Sequence, residues 1–269
     1  MGIWFKDDRM DFYEITDEKV RKNADCVAAL CMKDNLVDDK GFSTLKVKNY
    51  GKTFNLCECE PFHNQPIAAK SLVSCFLVKE DMIATAASFV NGRTVTNLRI
   101  IFGFKMLNSS TPVIKVSNDN IYKGVKVPYR DYRRGTGNWT DWALVKLDRK
   151  VVGQPIATLS KKKVFRGQPV YVIGHPVGLP LKYASGASVE NVSETYFGAK
   201  LDVFSGNSGS PVFSSDTHEV IGIVVRGDTK DFRYTGKCWT SIIYPNAEIQ
   251  SKGAECTRIS EFIAIVDQL

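Results

Sequence analysis

One short segment carries the residues best suited to nucleophilic chemistry. Ser208 lies within residues 206–211, which read GNSGSP, and Asp202 stands six residues upstream of it. Because glycine tolerates positive φ, the backbone of such a segment can turn sharply and direct its amides at a reacting group. Acyl transfer at a serine needs two such amides, aimed at the oxygen that becomes negative. We therefore predict that Ser208 is a nucleophile and that the amides of Gly206 and Ser208 form its oxyanion hole.

A Gly- and Ser-rich turn between two strands is the alternative interpretation, since turns favour these residue types. An apolar segment suited to a strand, residues 220–225, follows the motif. The GNSGSP run resembles the nucleophile motif of trypsin-like (chymotrypsin-fold) serine proteases, most closely the form in their bacterial, glutamyl-endopeptidase-like branch. The resemblance covers roughly residues 65–269. It implies hydrolysis of peptide bonds in protein or peptide substrates.

The resemblance also implies an orienting acid. A serine hydroxyl needs a base to take its proton, and a third group must orient that base. In this family the order along the chain is His, Asp, Ser. Asp141 opens the segment DWALVKL, which resembles the segment that carries the family's catalytic Asp. An Asp that caps a turn before a strand is the alternative.

The position of the base is substituted. Residues 83–90, IATAASFV, resemble the segment in which Thr-Ala-Ala precedes the catalytic histidine, and Ser88 stands in the place of that histidine. The chain has three histidines, His63, His175 and His218. We interpret all three as structural or surface residues. The resemblance thus implies two intact catalytic positions, Asp141 and Ser208, and a chain that is nearly inert as written.

Substrate recognition is a further implication of the resemblance. Asp202 occupies the place of the acid at the bottom of the primary specificity pocket, where a carboxylate selects Arg or Lys by charge-assisted hydrogen bonds. A surface position for Asp202 is the alternative. The strand that pairs with the substrate backbone is implied to contain Val225, Arg226 and Gly227. The charge of Arg226, on the rim of that pocket, opposes a basic preference.

Composition limits the class of partner. Of the 269 residues, 43% are hydrophobic and 24% charged, which is ordinary for a globular protein. Lys and Arg number 36 against 29 Asp and Glu, a formal net charge of +7. This excess is modest, and we interpret the basic runs at 161–163 and 129–134 as solvated loops. No apolar run is long enough for a membrane span. We expect no nucleic-acid partner and no membrane partner.

The seven cysteines are an odd number, and none flanks the Ser208 motif. The first residues do not form a secretory signal. We therefore predict that all the thiols are free and that the protein is cytoplasmic. Cys57, Cys59 and His63 suggest part of a metal site but lack a second ligand pair at usable spacing. We favour buried thiols and expect no metal and no cofactor.

Many short apolar segments separated by turn residues predict an all-β fold of two packed antiparallel β-barrels with a C-terminal helix at 259–269. Residues 16–32 are suited to a helix, although their second half equally suits a strand, and 118–138 are expected to be a loop. The predicted regions are an N-terminal arm and the start of the first barrel at 1–60, the first barrel at 61–150, a connector at 151–168, and the second barrel with its helix at 169–269.

Two functions from different classes remain. One is a serine endopeptidase with a His-Asp-Ser triad whose base is replaced, by engineering or naturally, and which has an activating partner. The other is a pseudoprotease that binds peptides or proteins without cleaving them. The retention of Asp141, Gly206 and Ser208 favours the endopeptidase, because a long-inactive site has no reason to keep all three.

Overall fold

The structure is a computed structural model, and it describes residues 2–135, 138–227, 230–245 and 253–269. These residues form 22 strands and three α-helices. The strands up to the connector are β1 Ile3–Trp4, β2 Met10–Asp11, β3 Val27–Met32, β4 Leu36–Asp39, β5 Phe42–Leu45, β6 Val47–Asn49, β7 Pro66–Ala68, β8 Leu72–Lys79, β9 Met82–Thr85, β10 Leu98–Phe102, β11 Lys115–Ser117, β12 Ile121–Arg133 and β13 Thr140–Leu147.

The strands after the connector are β14 Pro169–Gly174, β15 Lys182–Val192, β16 Tyr196–Ala199, β17 Pro211–Ser214, β18 Val220–Arg226, β19 Phe232–Tyr234, β20 Trp239–Ser241, β21 Ile243–Tyr244 and β22 Ala254–Arg258. The helices are α1 Glu18–Asp25, α2 Tyr50–Phe54 and α3 Ile263–Gln268. None of the described helices is long and apolar enough to cross a membrane.

The predicted pair of antiparallel barrels is confirmed. The first barrel closes in the order β10-β12-β13-β9-β8-β3. The second follows the order β14-β17-β18-β22-β16-β15 and closes through β14 with β15, while β2 adds to its β15 edge. The predicted C-terminal helix is also present, as α3. Full closure leaves neither barrel with an unpaired edge along its circumference.

Alternation along single strands builds two kinds of core. In β8, Cys75 and Leu77 face the interior of the first barrel, whereas Phe76 and Val78 join the core between the two barrels. Successive side chains of a strand point to opposite faces, so one strand can serve both cores. Strand β14 alternates in the same way between the interior of the second barrel and the shared core. The two barrels are therefore joined by a continuous apolar layer.

The structure decides two local expectations from the sequence, one for residues 16–32 and one for residues 118–138. Residues 16–32 divide into α1 and β3, so the strand alternative for the second half is the correct one. The segment 118–138, expected to be a loop, contains the 13-residue strand β12. Its many charged residues hide the strand in the sequence, but its backbone is paired with β13 from Gly124 to Arg133. Tertiary pairing here overrides local composition.

The N-terminal arm, defined here as residues 2–14, packs on the second barrel. Its β1 runs parallel to β21, and its β2 pairs antiparallel with β15. The buried Asp11 carboxylate accepts hydrogen bonds from Lys182 Nζ at 2.5 Å and from Gln65 Nε2 at 2.6 Å. The guanidinium of Arg9 lies over the Phe204 ring at 4.4 Å. The arm is therefore an integral part of the fold close to the segment that carries Ser208.

The prediction that every thiol is free is wrong. Cys57 and Cys238, which are 181 residues apart in the sequence, form a disulfide. It fastens the β19–β20 hairpin to the segment that follows α2. The remaining five cysteines are free, and all except Cys59 are buried. An odd count cannot exclude one pair, and only the packing of the hairpin on α2 brings these two sulfurs together.

Candidate active site

The segment that carries Ser208, here called the nucleophile loop (residues 204–210), is pressed against the first barrel. Gly209 has a φ of 86°, and a Cβ at this position would collide with the carbonyl oxygen of Ser74 and the hydroxyl of Thr85. The Ser208 carbonyl accepts a hydrogen bond from the Ser74 amide at 3.0 Å. Glycine is required at 209 because only a residue without a Cβ allows this approach. The Ser208 side chain remains partly exposed.

The amides of Gly206 and Ser208, the predicted oxyanion hole, lie in the nucleophile loop. Neither amide donates a hydrogen bond to another group in the part of the chain that the structure describes. Gly206 has a φ of 94°, and its preceding carbonyl, that of Ser205, accepts from the Val177 amide at 2.5 Å. Val177 itself lies in the left-handed region with a φ of 47°, a strained conformation for a β-branched residue. The hydrogen bond from Val177 thus fixes the Ser205 carbonyl, and the Gly206 and Ser208 amides have no acceptor among the described residues.

Asp141 lies near the start of β13, and its carboxylate contacts Ser88. Its Oδ1 accepts a hydrogen bond from the Ser88 amide at 2.8 Å. Its own amide donates to the Thr257 hydroxyl at 3.1 Å, which ties the strand to the second barrel. Burial raises the pKa of Asp141, and hydrogen bonds from Ser88 and Ala87 oppose that rise. The Asp141 carboxylate is thus held against the backbone of position 88.

Ser88 is exposed in the turn after β9. That strand ends at Thr85, whose hydroxyl donates to Ser74 O at 2.8 Å, directly beside the nucleophile loop. On the other side of the turn, the Arg130 guanidinium donates to the carbonyl of Ala87 at 3.0 Å. The turn is therefore held by Asp141 at the Ser88 amide and by Arg130 at the Ala87 carbonyl. A serine hydroxyl cannot accept a proton near neutral pH, so position 88 as it stands supplies no base.

Each of the three histidines makes contacts elsewhere. His175 is buried and donates from Nδ1 to the Leu179 carbonyl at 3.0 Å, and burial lowers its pKa to about 4. His218 contacts the Tyr171 hydroxyl at 3.1 Å through Nδ1, and His63 contacts Asn64. Within the described residues, none of them hydrogen-bonds to Ser208 or Asp141.

Asp202 has partners that the sequence did not indicate. Its Oδ1 accepts from the Trp4 amide at 2.7 Å, and its Oδ2 accepts from the Asp8 amide at 3.5 Å. Burial, with the nearby Asp8 carboxylate as a further cause, raises the pKa of Asp202 to about 8. Its carboxylate borders a cavity of about 330 Å³ between the N-terminal arm and β15. The carboxyl group therefore binds the arm.

The residues predicted to pair with the substrate lie at the end of β18. Val225 is buried, and Arg226 is exposed. The Arg226 guanidinium bonds to the Glu255 carboxylate and lies over the Trp139 ring at 3.7 Å. Gly227 is half-buried and follows the last residue of β18. The positive charge of Arg226 is thus paired with the negative charge of Glu255.

Sequence reasoning missed a cavity of about 1080 Å³ that borders the nucleophile loop. It reaches Phe89, next to Ser88, and it reaches Ser205 and Gly206. Apolar and aromatic side chains form most of its wall: Phe54, Ile67, Leu72, Phe232, Tyr234 and Trp239. The aromatic residues around Cys57 and Cys238 were the available signal. They indicate a site only after α2 and the β19–β20 hairpin are placed together.

Structures with the same fold include several proteases. The structure of a Glu endopeptidase in complex with MPD matches with a TM-score of 0.56 and 15% identity over 98% of each chain. The Rv3671c protease from M. tuberculosis in its active form matches with a TM-score of 0.54 and 13% identity, over 93% of this chain and 83% of that one. At such identities the likeness concerns the fold alone. No curated protein sequence matches the chain significantly.

Residues 73–223 match the sequence family described as the trypsin-like peptidase domain. The matched part is more than half of the chain and includes Ser88, Asp141 and Ser208. The nucleophile loop, the buried acid and the turn at position 88 all lie within it. The chain therefore belongs to the family of trypsin-like peptidase domains.

Proposed function

We propose that the chain is a serine endopeptidase domain in which Ser88 replaces the general base, so that it is nearly inert as written. The hydrogen bond from the Ser88 amide to Asp141 Oδ1, 2.8 Å long, carries the proposal. This hydrogen bond holds the backbone of Ser88 next to the Asp141 carboxylate. A histidine at 88 would donate from one ring nitrogen to Asp141 and accept the Ser208 proton at the other.

The reaction follows from these positions. In the Ser88→His protein, the Ser208 oxygen would attack the carbonyl carbon of the scissile peptide bond as the introduced base takes the hydroxyl proton. The Gly206 and Ser208 amides bind the oxygen that becomes negative. The base then gives its proton to the leaving amine, and water hydrolyses the acyl-enzyme by the same steps in reverse. Without a base the first step is lost, which in a serine protease costs on the order of 10⁶ in kcat.

Cleavage after Arg or Lys remains a prediction that rests on Asp202. Burial and the neighbouring Asp8 and Asp7 carboxylates raise the pKa of Asp202 to about 8, against the opposing effect of the hydrogen bonds from the Trp4 and Asp8 amides, so the carboxyl group is largely neutral at neutral pH. A basic side chain would be recognised once the arm has withdrawn and Asp202 is ionised. A partner protein that displaces the arm would then act as an activator.

A peptide-binding pseudoprotease is the second candidate. The exposed Ser88 and the open cavity beside it favour this function, because binding needs a cleft and no base. The two candidates differ in one respect only, namely whether restoring the base restores the chemistry.

The test compares the chain as written, Ser88→His, and Ser88→His combined with Ser208→Ala on casein and a mixed peptide library. We expect cleavage by the second protein only. Ser110→His, in an exposed turn, controls for the addition of a histidine. Equal activity of the first two proteins would contradict the missing-base explanation. A folded but inactive Ser88→His protein would favour the pseudoprotease.

A further inference from the structure

The cavity of about 1080 Å³ borders the nucleophile loop. It reaches Gly206, one of the two predicted oxyanion-hole residues, and Phe89, the neighbour of position 88. The end of β18 is the strand predicted to pair with the substrate before the scissile bond. None of Asp202, Val225, Arg226 and Gly227 lines that cavity. For a peptide that follows β18 up to Ser208, this cavity beside Gly206 and Phe89 is therefore the candidate site for the residues after its scissile bond.

The floor of the cavity is apolar. Ile67 and Leu72 are buried there, and Phe54 and Phe232 are half-buried with ring centroids 5.3 Å apart. At the opening, Tyr234 and Trp239 are 56% and 40% exposed. Exposed aromatic rings around a concave apolar floor are typical of a site that buries a large apolar group. The volume exceeds what one side chain fills, so the cavity has room for adjacent residues of the same peptide.

The opening is cationic. Four of the cavity-lining residues are basic and exposed, namely Lys48, Lys70, Lys230 and Arg233, and Lys70 among them forms an ion pair with Asp34 outside the cavity. The acid among the described lining residues is Asp231, and its carboxylate accepts hydrogen bonds from the Ser205 amide at 3.2 and 3.1 Å. That carboxylate is thus committed to the nucleophile loop. The field at the opening favours acidic groups on the bound peptide.

We propose that this cavity binds the part of a substrate that follows the scissile bond, and that it selects a large aromatic or aliphatic residue flanked by acidic residues. The inference rests on the proposed function, because it takes Ser208 as the point at which the peptide is cut. The apolar floor binds the large side chain, and the basic opening binds its acidic neighbours. The Cys57–Cys238 disulfide holds the hairpin wall of the site in place.

The first measurement is cleavage of a peptide library by Ser88→His, with the residues after each cut identified by mass spectrometry. We expect Phe, Tyr, Trp or Leu within the first two positions and Asp or Glu next to them. Replacing that large residue with Ala should lower kcat/KM roughly 10- to 100-fold, as expected for burying one large side chain. Cleavage without any preference after the scissile bond would overturn the inference and leave the proposed function intact.

The second measurement is binding, and it does not depend on chemistry. A fluorescein-labelled peptide with Phe between two Glu residues is titrated with the chain as written, and anisotropy is recorded. Lys48→Glu with Arg233→Glu should weaken binding roughly tenfold or more and remove its salt dependence. Lys162→Glu, an exposed residue that does not line the cavity, is the matched control. Equal weakening by the control would overturn the inference.

The apolar floor is tested with Phe54→Ala against Phe165→Ala, since Phe165 is 56% exposed and lies outside the cavity. Binding should fall only for Phe54→Ala. If that variant fails to fold, the charge variants still decide, because they alter exposed side chains. An inactive Ser88→His protein whose binding still depends on Lys48, Arg233 and Phe54 would refute the endopeptidase and support the cavity assignment. Binding that no cavity variant changes would overturn the inference.

Discussion

Two buried carboxylates, those of Asp141 and Asp202, have different kinds of partner. We call the region around Asp141 and Ser88 the seam, and the regions around Asp202 and around the large cavity its flanks. In the seam, Asp141 accepts a hydrogen bond from Ser88, and both residues belong to segments that resemble protease motifs. In one flank, Asp202 accepts from Trp4 and Asp8, which lie in the N-terminal arm and belong to no motif. The Cys57–Cys238 disulfide, which joins the β19–β20 hairpin to the segment after α2, also links segments without a motif.

This difference shows where motif reasoning applies. A motif identifies residues whose partners are other motif residues, as with Asp141 and position 88. It does not identify the partners of a residue when they come from segments that vary freely in sequence. The resemblance implies a pocket for basic side chains at Asp202, and the structure adds two partners that the motif does not contain, the amides of Trp4 and Asp8 in the arm. A carboxylate takes its role from the groups that donate to it.

The largest effect is expected in the seam. In the Ser88→His protein, Asp141→Asn should lower kcat about 10⁴-fold, because the imidazole loses the acid that holds its tautomer. In the chain as written the same change should leave activity at its low starting level. Peptide hydrolysis measured in both backgrounds checks this. Asp148→Asn is the control, and a similar loss in that variant would contradict a specific role for Asp141.

In the flank of the cavity, removing the disulfide should mainly affect stability. Cys57→Ser with Cys238→Ser should lower the free energy of unfolding by about 2–5 kcal/mol, since the bridge closes a loop of 181 residues. Urea denaturation under non-reducing conditions measures it. Cys59→Ser, at a free and exposed cysteine, should have almost no effect. If both variants were equally stable, the bridge would not constrain the unfolded chain.

Two glycines allow the cost of an added Cβ to be compared between the nucleophile loop and an open position in the connector. Gly209 and Gly153 both have positive φ, 86° and 79°, but only at Gly209 would a Cβ collide with neighbouring atoms. Gly209→Ala should therefore destabilise the protein by about 1–3 kcal/mol more than Gly153→Ala, because overpacking adds to the shared backbone strain. Thermal or denaturant unfolding of the two variants measures the difference. Equal losses would mean that the nucleophile loop can move away from Ser74.

The smallest effect concerns pH. The pKa of Asp202 is raised from 3.8 to about 8, so between these values the folded protein holds a proton that the unfolded chain has lost. The stabilisation is complete below about pH 4 and is lost as pH rises through about 8. The charged groups that act on this carboxyl include Asp7, Asp8 and Arg9.

Asp202→Asn should consequently reduce the fall in Tm between about pH 5 and about pH 9 by a few degrees. Differential scanning calorimetry at several pH values measures the slope. Asp216→Asn, at an exposed position, should leave the slope unchanged. An unaltered slope in Asp202→Asn would show that the carboxyl ionises freely in the folded protein.

Much of the fold could be predicted because its signals are local. Strand β8 is predicted from its continuous apolar run and strand β13 from the alternating faces of DWALVKL. Strand β12 could not be read in this way, because its charged and aromatic residues have a strand conformation only through pairing with β13. The disulfide and the large cavity were missed for a related reason, since each needs α2 and the β19–β20 hairpin side by side.

The sequence by itself determined the residue types of the candidate site: a serine between glycines at 208, an acid at 141, and a serine where a base is expected at 88. It also determined that two barrels would form, because alternation and turn spacing are properties of short segments. Only the tertiary structure decided that the arm takes Asp202, that Cys57 meets Cys238, and that an apolar cavity with a cationic opening lies beside Gly206. Those contacts join segments up to 198 positions apart, and no local pattern records which distant backbone will donate to a given side chain.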